Sequence, residues 1–191
     1  IGLNYVGRVK VRHITEGLGK GIGPKKPQEH VTNPLSKLKI AVHYGCHLVK
    51  PRVSRDFDNP EKPTVLDDLV KALGAESVEY EEKMACCGAG GGVRSGVPDV
   101  SLRMLNEKLS NIQNAGADFI LDVCPFCHLQ FDKGQVELKQ GYDISYSIPI
   151  LHYVQALGLA MGYSVSELGL DQQFIWNQTI AKKLGGGNGT K

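Results

Sequence analysis

Residues 118–127 have the sequence DFILDVCPFC, an apolar run that ends directly at two cysteines. The run has the length and the branched and aromatic residues of a buried β-strand. A second apolar run, KIAVHY at 39–44, ends at Gly45 and Cys46 in the same way. The sequence therefore contains two predicted buried strands, and each leads directly into a cysteine.

Helical patterns follow or precede these apolar runs. Pro63 and Thr64 begin a segment with apolar residues at helical spacing, and Gly74 lies where a helix usually stops. A second such segment begins at Pro98 and ends at Gly116. Because strands alternate with helices, we predict an α/β layered domain with a mainly parallel sheet flanked by helices.

The other segments complete the predicted organisation. Strands are predicted at 5–13, 76–80 and 143–147. Helices are predicted from Cys127 to about residue 139, from Pro149 to about residue 161, and after Ser164 or Ser166. The chain is divided into a connector with a short strand or helix (1–38), a cysteine-rich domain (39–163), and a C-terminal helix with a flexible tail (164–191). Since the chain opens with Ile1 rather than Met, the connector is expected to follow an upstream part.

The composition limits the class of protein. Hydrophobic residues make up 41% and charged residues 22%, and the net charge is +2. These values are ordinary for a globular domain, and the small charge argues against nucleic acid as a partner. A membrane-spanning helix needs about 18 apolar residues in a row, and none is present, so no direct membrane insertion is predicted. We expect a cytoplasmic protein.

The five cysteines carry the functional signal. Their spacing is C-x39-CC-x36-C-x2-C, at Cys46, Cys86, Cys87, Cys124 and Cys127. An odd count with an adjacent pair is a poor disulfide framework, which favours free thiols in a reducing compartment. Each group follows a predicted strand, and the carboxyl ends of parallel strands lie along one edge of a sheet. We therefore expect all five sulfurs to converge there.

Three kinds of chemistry fit converging cysteines. A structural zinc site takes four ligands and leaves one of the five sulfurs unexplained. A dithiol redox site of the CxxC type needs only two. An iron–sulfur cluster has several irons, so adjacent cysteines can bind different irons, and glycines after Cys87 let the backbone approach closely. The residues favour the cluster and leave the other two chemistries open.

Three stretches carry a resemblance to known proteins: AVHYGCH (41–47), the segment 59–96 that contains ACCGAGGG, and AGADFILDVCPFCHLQFDKGQ (115–135). In these stretches the chain resembles the cysteine-rich CCG-domain family, and within it the B subunits of heterodisulfide reductases. The resemblance implies that all five cysteines hold one noncubane [4Fe-4S] cluster. It also implies a second cluster in a half that would precede Ile1, so this chain alone is not expected to be fully active.

The resemblance further implies an activity. Proteins of this kind are oxidoreductases that reduce the CoM-S-S-CoB disulfide to two thiols in methanogenesis, with coenzyme M and coenzyme B as ligands. Electrons come from the ferredoxin-like C subunit of the heterodisulfide reductase, which in turn receives them from the flavin-containing A subunit. The alternative is an electron-transfer iron–sulfur subunit of another CCG-domain oxidoreductase, of the lactate, glycolate or glycerol-3-phosphate type.

Four other residues receive predictions. His47 follows a cysteine and is a candidate proton donor, because the pKa of an ordinary histidine lies near neutral pH. Arg94 is a candidate to bind an anionic group of the substrate, with a structural arginine as the alternative. His128 is expected to form a supporting hydrogen bond rather than to bind metal. His43, within a predicted strand, is expected to be a hydrogen-bonded core histidine.

Overall fold

A sheet of four parallel strands forms the centre of the molecule. The strands are β1 (Lys39–Val42), β2 (Glu76–Val78), β3 (Phe119–Asp122) and β4 (Ile150–His152), and they lie in the order β2-β1-β3-β4. This computed structural model describes residues 2–4 and 6–176. The predicted α/β class with a parallel sheet is confirmed.

Helices cover both faces of this sheet. The helices of the described residues are α1 (Ile14–Glu16), α2 (Lys25–Gln28), α3 (Cys46–Val49), α4 (Arg52–Arg55), α5 (Val65–Ala72), α6 (Val93–Gly96), α7 (Pro98–Asn114), α8 (Pro125–Tyr142) and α9 (Tyr153–Ala160). Helices α5 and α9 pack on one face, and α7 and α8 pack on the other. Within the described ranges, no helix has both the length and the apolar character that crossing a bilayer requires.

Both faces of the strands are buried, which explains their unbroken apolar sequences. Successive side chains of a strand point to opposite faces. Ile40 and Val42 therefore join the core under α5 and α9, while Ala41 joins the core under α7 and α8. In β3, Leu121 joins the core under α5 and α9, and Ile120 joins the core under α7 and α8.

The strand order creates a crevice at the carboxyl edge of the sheet. From β1 the chain passes through α5 to β2 at one edge, and it then returns through α7 past β1 to β3. Crossovers between parallel strands are right-handed, so connections that run in opposite directions lie on opposite faces. Between β1 and β3 the direction reverses, and such a reversal is where open α/β sheets bind ligands.

Two predicted strands are wrong. Residues 6–13 form no regular element, and the side chains of Val9 and Val11 are 69% and 93% exposed, so their alternation does not reflect a buried face. Residues 143–147 are also irregular, and the last strand is β4, directly after Pro149. Pro149 was expected to begin a helix, but its carbonyl accepts the N–H of Ile120 at 2.9 Å and so leads into the sheet.

The end of the chain is described only in part. Ser164 and Glu167 exchange hydrogen bonds, as expected for a helix start, but they close a turn. A short 3-10 helix follows at Leu170–Gln172. Residues 177–191 of the predicted terminal helix and tail lie outside the described residues, and the division of the chain at residues 38 and 163 stays a prediction.

The substitution Leu121→Ala tests the central strand. Leu121 is fully buried in β3, so removing its side chain leaves a cavity and is expected to lower the free energy of unfolding by about 2–5 kcal/mol. Urea unfolding measures this change. Leu3→Ala, at a leucine that is 85% exposed, is the matched control and is expected to change it by less than about 0.5 kcal/mol. Equal effects of the two substitutions would contradict the assignment of the core.

Candidate metal centre

All five cysteines line one cavity at the carboxyl edge of the sheet, and its volume is about 1210 Å³. Cys46 begins α3 after β1, Cys86 and Cys87 lie in the loop after β2, and Cys124 and Cys127 flank the first turn of α8 after β3. None of the five forms a disulfide. The convergence expected from the strand ends is therefore observed.

The sulfur atoms differ in depth. Cys87 and Cys127 are buried, and their Sγ atoms are 3.3 Å apart, which is too far for a disulfide bond and close enough for an S–H···S contact. Cys46, Cys86 and Cys124 are partly exposed to the cavity. The Sγ atom of Cys86 also accepts the N–H of Gly88 at 3.3 Å. Two of the five sulfurs therefore lie at the buried bottom of the cavity, and the other three lie on its open side.

The cysteines also differ in their tendency to lose a proton. Hydrogen bonding with the Cys127 side chain lowers the pKa of Cys124 to about 6 and lowers the pKa of Cys87 as well. The same contacts, together with burial, raise the pKa of Cys127 itself. Burial and the neighbouring charge of Cys86 raise the pKa of Cys46 to about 11. Thiolates bind metal, so part of this group is ready to do so at neutral pH.

His43 is a residue whose role the sequence did not reveal. It is 2% exposed, and its ring packs edge-on against Phe131, with 4.9 Å between the ring centroids. A ligand atom of His43 and the sulfurs of Cys87 and Cys127 all lie within 4.8 Å of one another. Among the described residues neither ring nitrogen has a hydrogen-bond partner. The expected place of His43 in the core is therefore confirmed, but the hydrogen bond expected with it is not observed.

The surroundings of His43 fit a bound metal or cluster. A buried polar group without a partner costs about 1–3 kcal/mol, so such groups are rare unless something binds them. Here one ring nitrogen of His43 lies near two cysteine sulfurs, and nitrogen and thiolate sulfur are the donors that zinc and iron prefer. This donor set supports a metal centre. By itself it does not separate zinc from an iron–sulfur cluster.

Gly45 allows two of the cysteine loops to approach each other. Its φ of 72° and ψ of 134° lie in a region that side chains other than glycine rarely adopt. A Cβ atom built there would lie 3.3 Å from the Cβ atom of Cys124. By contrast, the glycines at 90–92 have open space around them and line the cavity. Gly45 therefore holds Cys46 close to the CxxC segment.

A buried carboxylate ties the loop after β1 to the loop after β2. Asp67 in α5 accepts hydrogen bonds from the hydroxyl of Tyr44 (2.6 Å), the ammonium of Lys83 (2.7 Å) and the hydroxyl of Ser77. Tyr44 lies two residues before Cys46, and Lys83 lies three residues before Cys86. This network fixes the loop after β1 relative to the loop after β2.

The two further candidates lie on the cavity wall. His47 is exposed beside Cys46. Arg94 lines the cavity, but its guanidinium donates to both carboxylate oxygens of Glu137, at 2.7 and 2.8 Å, and to the Gln130 side chain. These contacts support the structural alternative for Arg94, although the guanidinium keeps further donors. Both roles remain predictions.

His128 forms supporting contacts, in agreement with the prediction. Its Nδ1 lies 3.2 Å from the buried carboxylate of Asp122, and its Nε2 lies 3.2 Å from the Gln173 side chain. The hydrogen bond and the charge of Asp122 outweigh burial and raise the pKa of His128. The side chain therefore links the start of α8 to the end of β3.

Comparisons with known proteins add to this geometry. Residues 40–132 match the family model described as a cysteine-rich domain, CCG. The chain is 53% identical over 184 residues to the B subunit of the ferredoxin/F(420)H(2)-dependent CoB-CoM heterodisulfide reductase of Methanosarcina acetivorans. It is 51% identical over 184 residues to the B subunit of the ferredoxin:CoB-CoM heterodisulfide reductase of Methanosarcina mazei. Each match covers 96% of this chain and 61% of the relative, so the chain spans less than two thirds of their length.

Two further matches have lower sequence identity to this chain. The chain is 32% identical over 185 residues to the 8-methylmenaquinol:fumarate reductase membrane anchor subunit of Wolinella succinogenes, a match that covers 96% of the chain and 62% of that protein. Among solved structures it resembles a hypothetical protein from Helicobacter pylori, with a TM-score of 0.59 and 15% identity. That match covers 82% of this chain and 28% of the other, and it supports the fold alone.

Gly45→Ala is expected to disturb the centre. The added Cβ atom meets Cys124 and requires a strained backbone, so the free energy of unfolding should fall by about 1–3 kcal/mol and metal uptake should decrease. Urea unfolding and metal analysis measure the two effects. Gly90→Ala is the matched control, since a Cβ atom at Gly90 meets nothing within 4 Å and its φ is unexceptional. The same loss in both variants would refute the role of Gly45.

Cysteine alkylation tests the order of the pKa values. In the metal-free chain at pH 7, Cys124 has a pKa of about 6 and is mostly thiolate, whereas Cys46 has a pKa of about 11 and is a thiol. Iodoacetamide should therefore modify Cys124 faster than Cys46, and the rate at Cys124 should fall as the pH drops below 6. Peptide mass spectrometry at timed intervals measures both rates. Faster modification of Cys46 at pH 7 would contradict the assignment.

Proposed function

Because residues 40–132 of this chain match the family model of the cysteine-rich CCG domain, we propose that its five cysteines hold an iron–sulfur cluster for disulfide reduction. The chain is proposed to be the cluster-bearing part of a heterodisulfide reductase B subunit. One observation carries this proposal: all five cysteines line a single cavity in a chain that is 53% identical to such a protein. The domain that holds the cluster is proposed to span residues 39–163.

The number and arrangement of the sulfurs favour iron over zinc. A zinc ion takes four ligands, and the adjacent side chains of Cys86 and Cys87 differ in depth, one partly exposed and one buried. A cluster with several irons can use both, since each sulfur can bind a different iron. We propose one noncubane [4Fe-4S] cluster in this chain, held by Cys46, Cys86, Cys87, Cys124 and Cys127.

The proposed reaction is the reduction of the CoM-S-S-CoB disulfide. Two electrons and two protons break the S–S bond, and each sulfur leaves as a thiol. When bound, the cluster would supply electrons one at a time. His47 is proposed to give a proton to a departing sulfur, because it is exposed to the cavity beside Cys46.

The cavity offers contacts suited to thiol coenzymes with acidic groups. Phe126 and Leu102 provide apolar wall, and Lys133 and Arg94 provide positive charge. Because Glu137 accepts from Arg94 and lies 3.7 Å from the Lys133 ammonium, it offsets part of this charge. We propose that Arg94 uses its remaining donors to orient an anionic group of the substrate.

The proposed setting is a multisubunit complex of methanogenesis. The ferredoxin-like C subunit and the flavin-containing A subunit of the heterodisulfide reductase are proposed to deliver the electrons. The free cysteines suit a reducing compartment, which supports a cytoplasmic location. In the alternative function, the cluster passes electrons to a carrier within another CCG-domain oxidoreductase and no disulfide is reduced.

Metal and sulfide analysis of the anaerobically prepared chain tests the proposal. We expect about four irons with acid-labile sulfide per chain, and an EPR signal that appears on oxidation only when a coenzyme thiol is present. Replacing any one of the five cysteines by alanine should lower the iron content, whereas Ser95→Ala on the cavity rim should leave it unchanged. Iron without a response to thiol would support the electron-transfer function. Zinc without iron would refute the cluster.

A further inference from the structure

Lys108 is a buried lysine beside the cysteine loops. It lies in α7, and only 2% of its surface is exposed. Its ammonium donates to the backbone carbonyls of Glu82, Lys83 and Ala85, each at 2.8 Å. These carbonyls belong to the turn that leads directly into Cys86. All three donors of the ammonium are thus used to hold one loop.

The positive charge of Lys108 has no carboxylate partner within the described residues. A buried ammonium is costly unless polar groups or a negative charge compensate it. The three carbonyl dipoles compensate part, and the ring of Tyr80 lies 5.2 Å from the ammonium at a distance typical of a cation–π contact. Burial lowers the pKa of Lys108 to about 8, although the negative charge of nearby cysteines acts in the opposite direction. The ammonium is therefore protonated at pH 7.

Other cations near the cavity have carboxylate partners. Arg94 pairs with Glu137, and Lys83 pairs with Asp67 and with Glu79. Lys108 is the only buried lysine or arginine among the described residues, and its ammonium contacts the carbonyls just before Cys86 rather than an acid. Its charge is therefore available to oppose negative charge that accumulates at the cysteines.

We propose that Lys108 is a positioning residue for the metal centre, which holds the Cys86–Cys87 loop and supplies a fixed positive charge that favours the reduced state of the cluster. The inference rests on the proposed function, because it requires a cysteine-bound cluster. Cysteine thiolates make such a centre negative, and each added electron makes it more negative. A fixed, buried charge of opposite sign lowers the cost of that electron, and water screens it little.

The reduction potential of the iron-loaded full chain tests the charge. In Lys108→Met, the ratio of reduced to oxidised cluster at a fixed potential should fall on the order of tenfold, equivalent to about 59 mV for a one-electron couple. Lys108→Arg keeps the charge and should stay near the value of the unmodified chain. Lys71→Met removes an exposed lysine on α5, across the sheet, and is the matched control that should leave the potential unchanged. EPR-monitored redox titration measures all four proteins.

The contacts with the three carbonyls are tested without metal. Lys108→Met should destabilise the metal-free chain in urea, and should speed hydrogen exchange at the amides of residues 85–88, whereas Lys71→Met should do neither. This readout is independent of the cluster, so it separates failure of the proposed function from failure of the inference. If the unmodified chain binds no iron, the proposed function fails, and unchanged exchange in Lys108→Met refutes the positioning role on its own.

Loss of iron from Lys108→Met is also informative. In that case Lys108→Gln, which keeps donors but no charge, is compared with Lys108→Arg. Iron retention with a lowered potential in the glutamine variant, or retention in the arginine variant alone, supports the role of the charge. Equal potentials in the two variants, loss of iron from both, or an unchanged potential in Lys108→Met would overturn it.

Discussion

Parallel pairing of β1 with both β2 and β3 is the constraint on which the rest of the structure depends. Ile40 pairs with Ser77 on one side and with Phe119 on the other, so the three strands end at nearly the same level. The chain after each strand must then emerge at one edge of the sheet. Five cysteines that are separated by up to 81 positions in sequence thereby line the same cavity.

This convergence brings polar groups into a buried place, and the fold holds them there in two ways. Some are satisfied within the protein, as in the contacts of Asp67 with Tyr44 and Lys83, or those of Lys108 with three carbonyls. Others, above all the ring nitrogens of His43, find no partner in the described part of the chain. Where a site is incomplete in this way, ligand binding and folding stability are coupled, because the bound group compensates the buried donors.

Much of this could be predicted from the sequence, because local patterns decided it. The apolar runs before Cys46 and Cys124 indicated strands that are buried on both faces, and Pro98 with Gly116 bounded a long helix. The errors arose where a local pattern competed with pairing. Pro149 was interpreted as a helix start, yet its carbonyl is used by Ile120 in the sheet, and no residue near Pro149 indicates that neighbour.

Side-chain contacts across the fold were beyond the reach of the sequence. Arg94 could be placed after the glycine run, but its partner Glu137 lies 43 positions away on α8. His43 was expected to have a hydrogen-bond partner, because most buried polar groups do. Only the tertiary structure shows that Phe131 and two cysteines surround its ring instead. Similarly, Lys108 occupies a helix position that the periodic pattern leaves undistinguished.

The sequence by itself determined the class of fold, the five cysteines and the edge of the sheet where they would meet, because strand and helix patterns are local and parallel strands share their direction. The tertiary structure alone decided which polar groups are buried, which are paired and which face the sulfurs. Hydrogen bonding and burial depend on distances between segments far apart in the chain, and spacing along the sequence does not contain those distances.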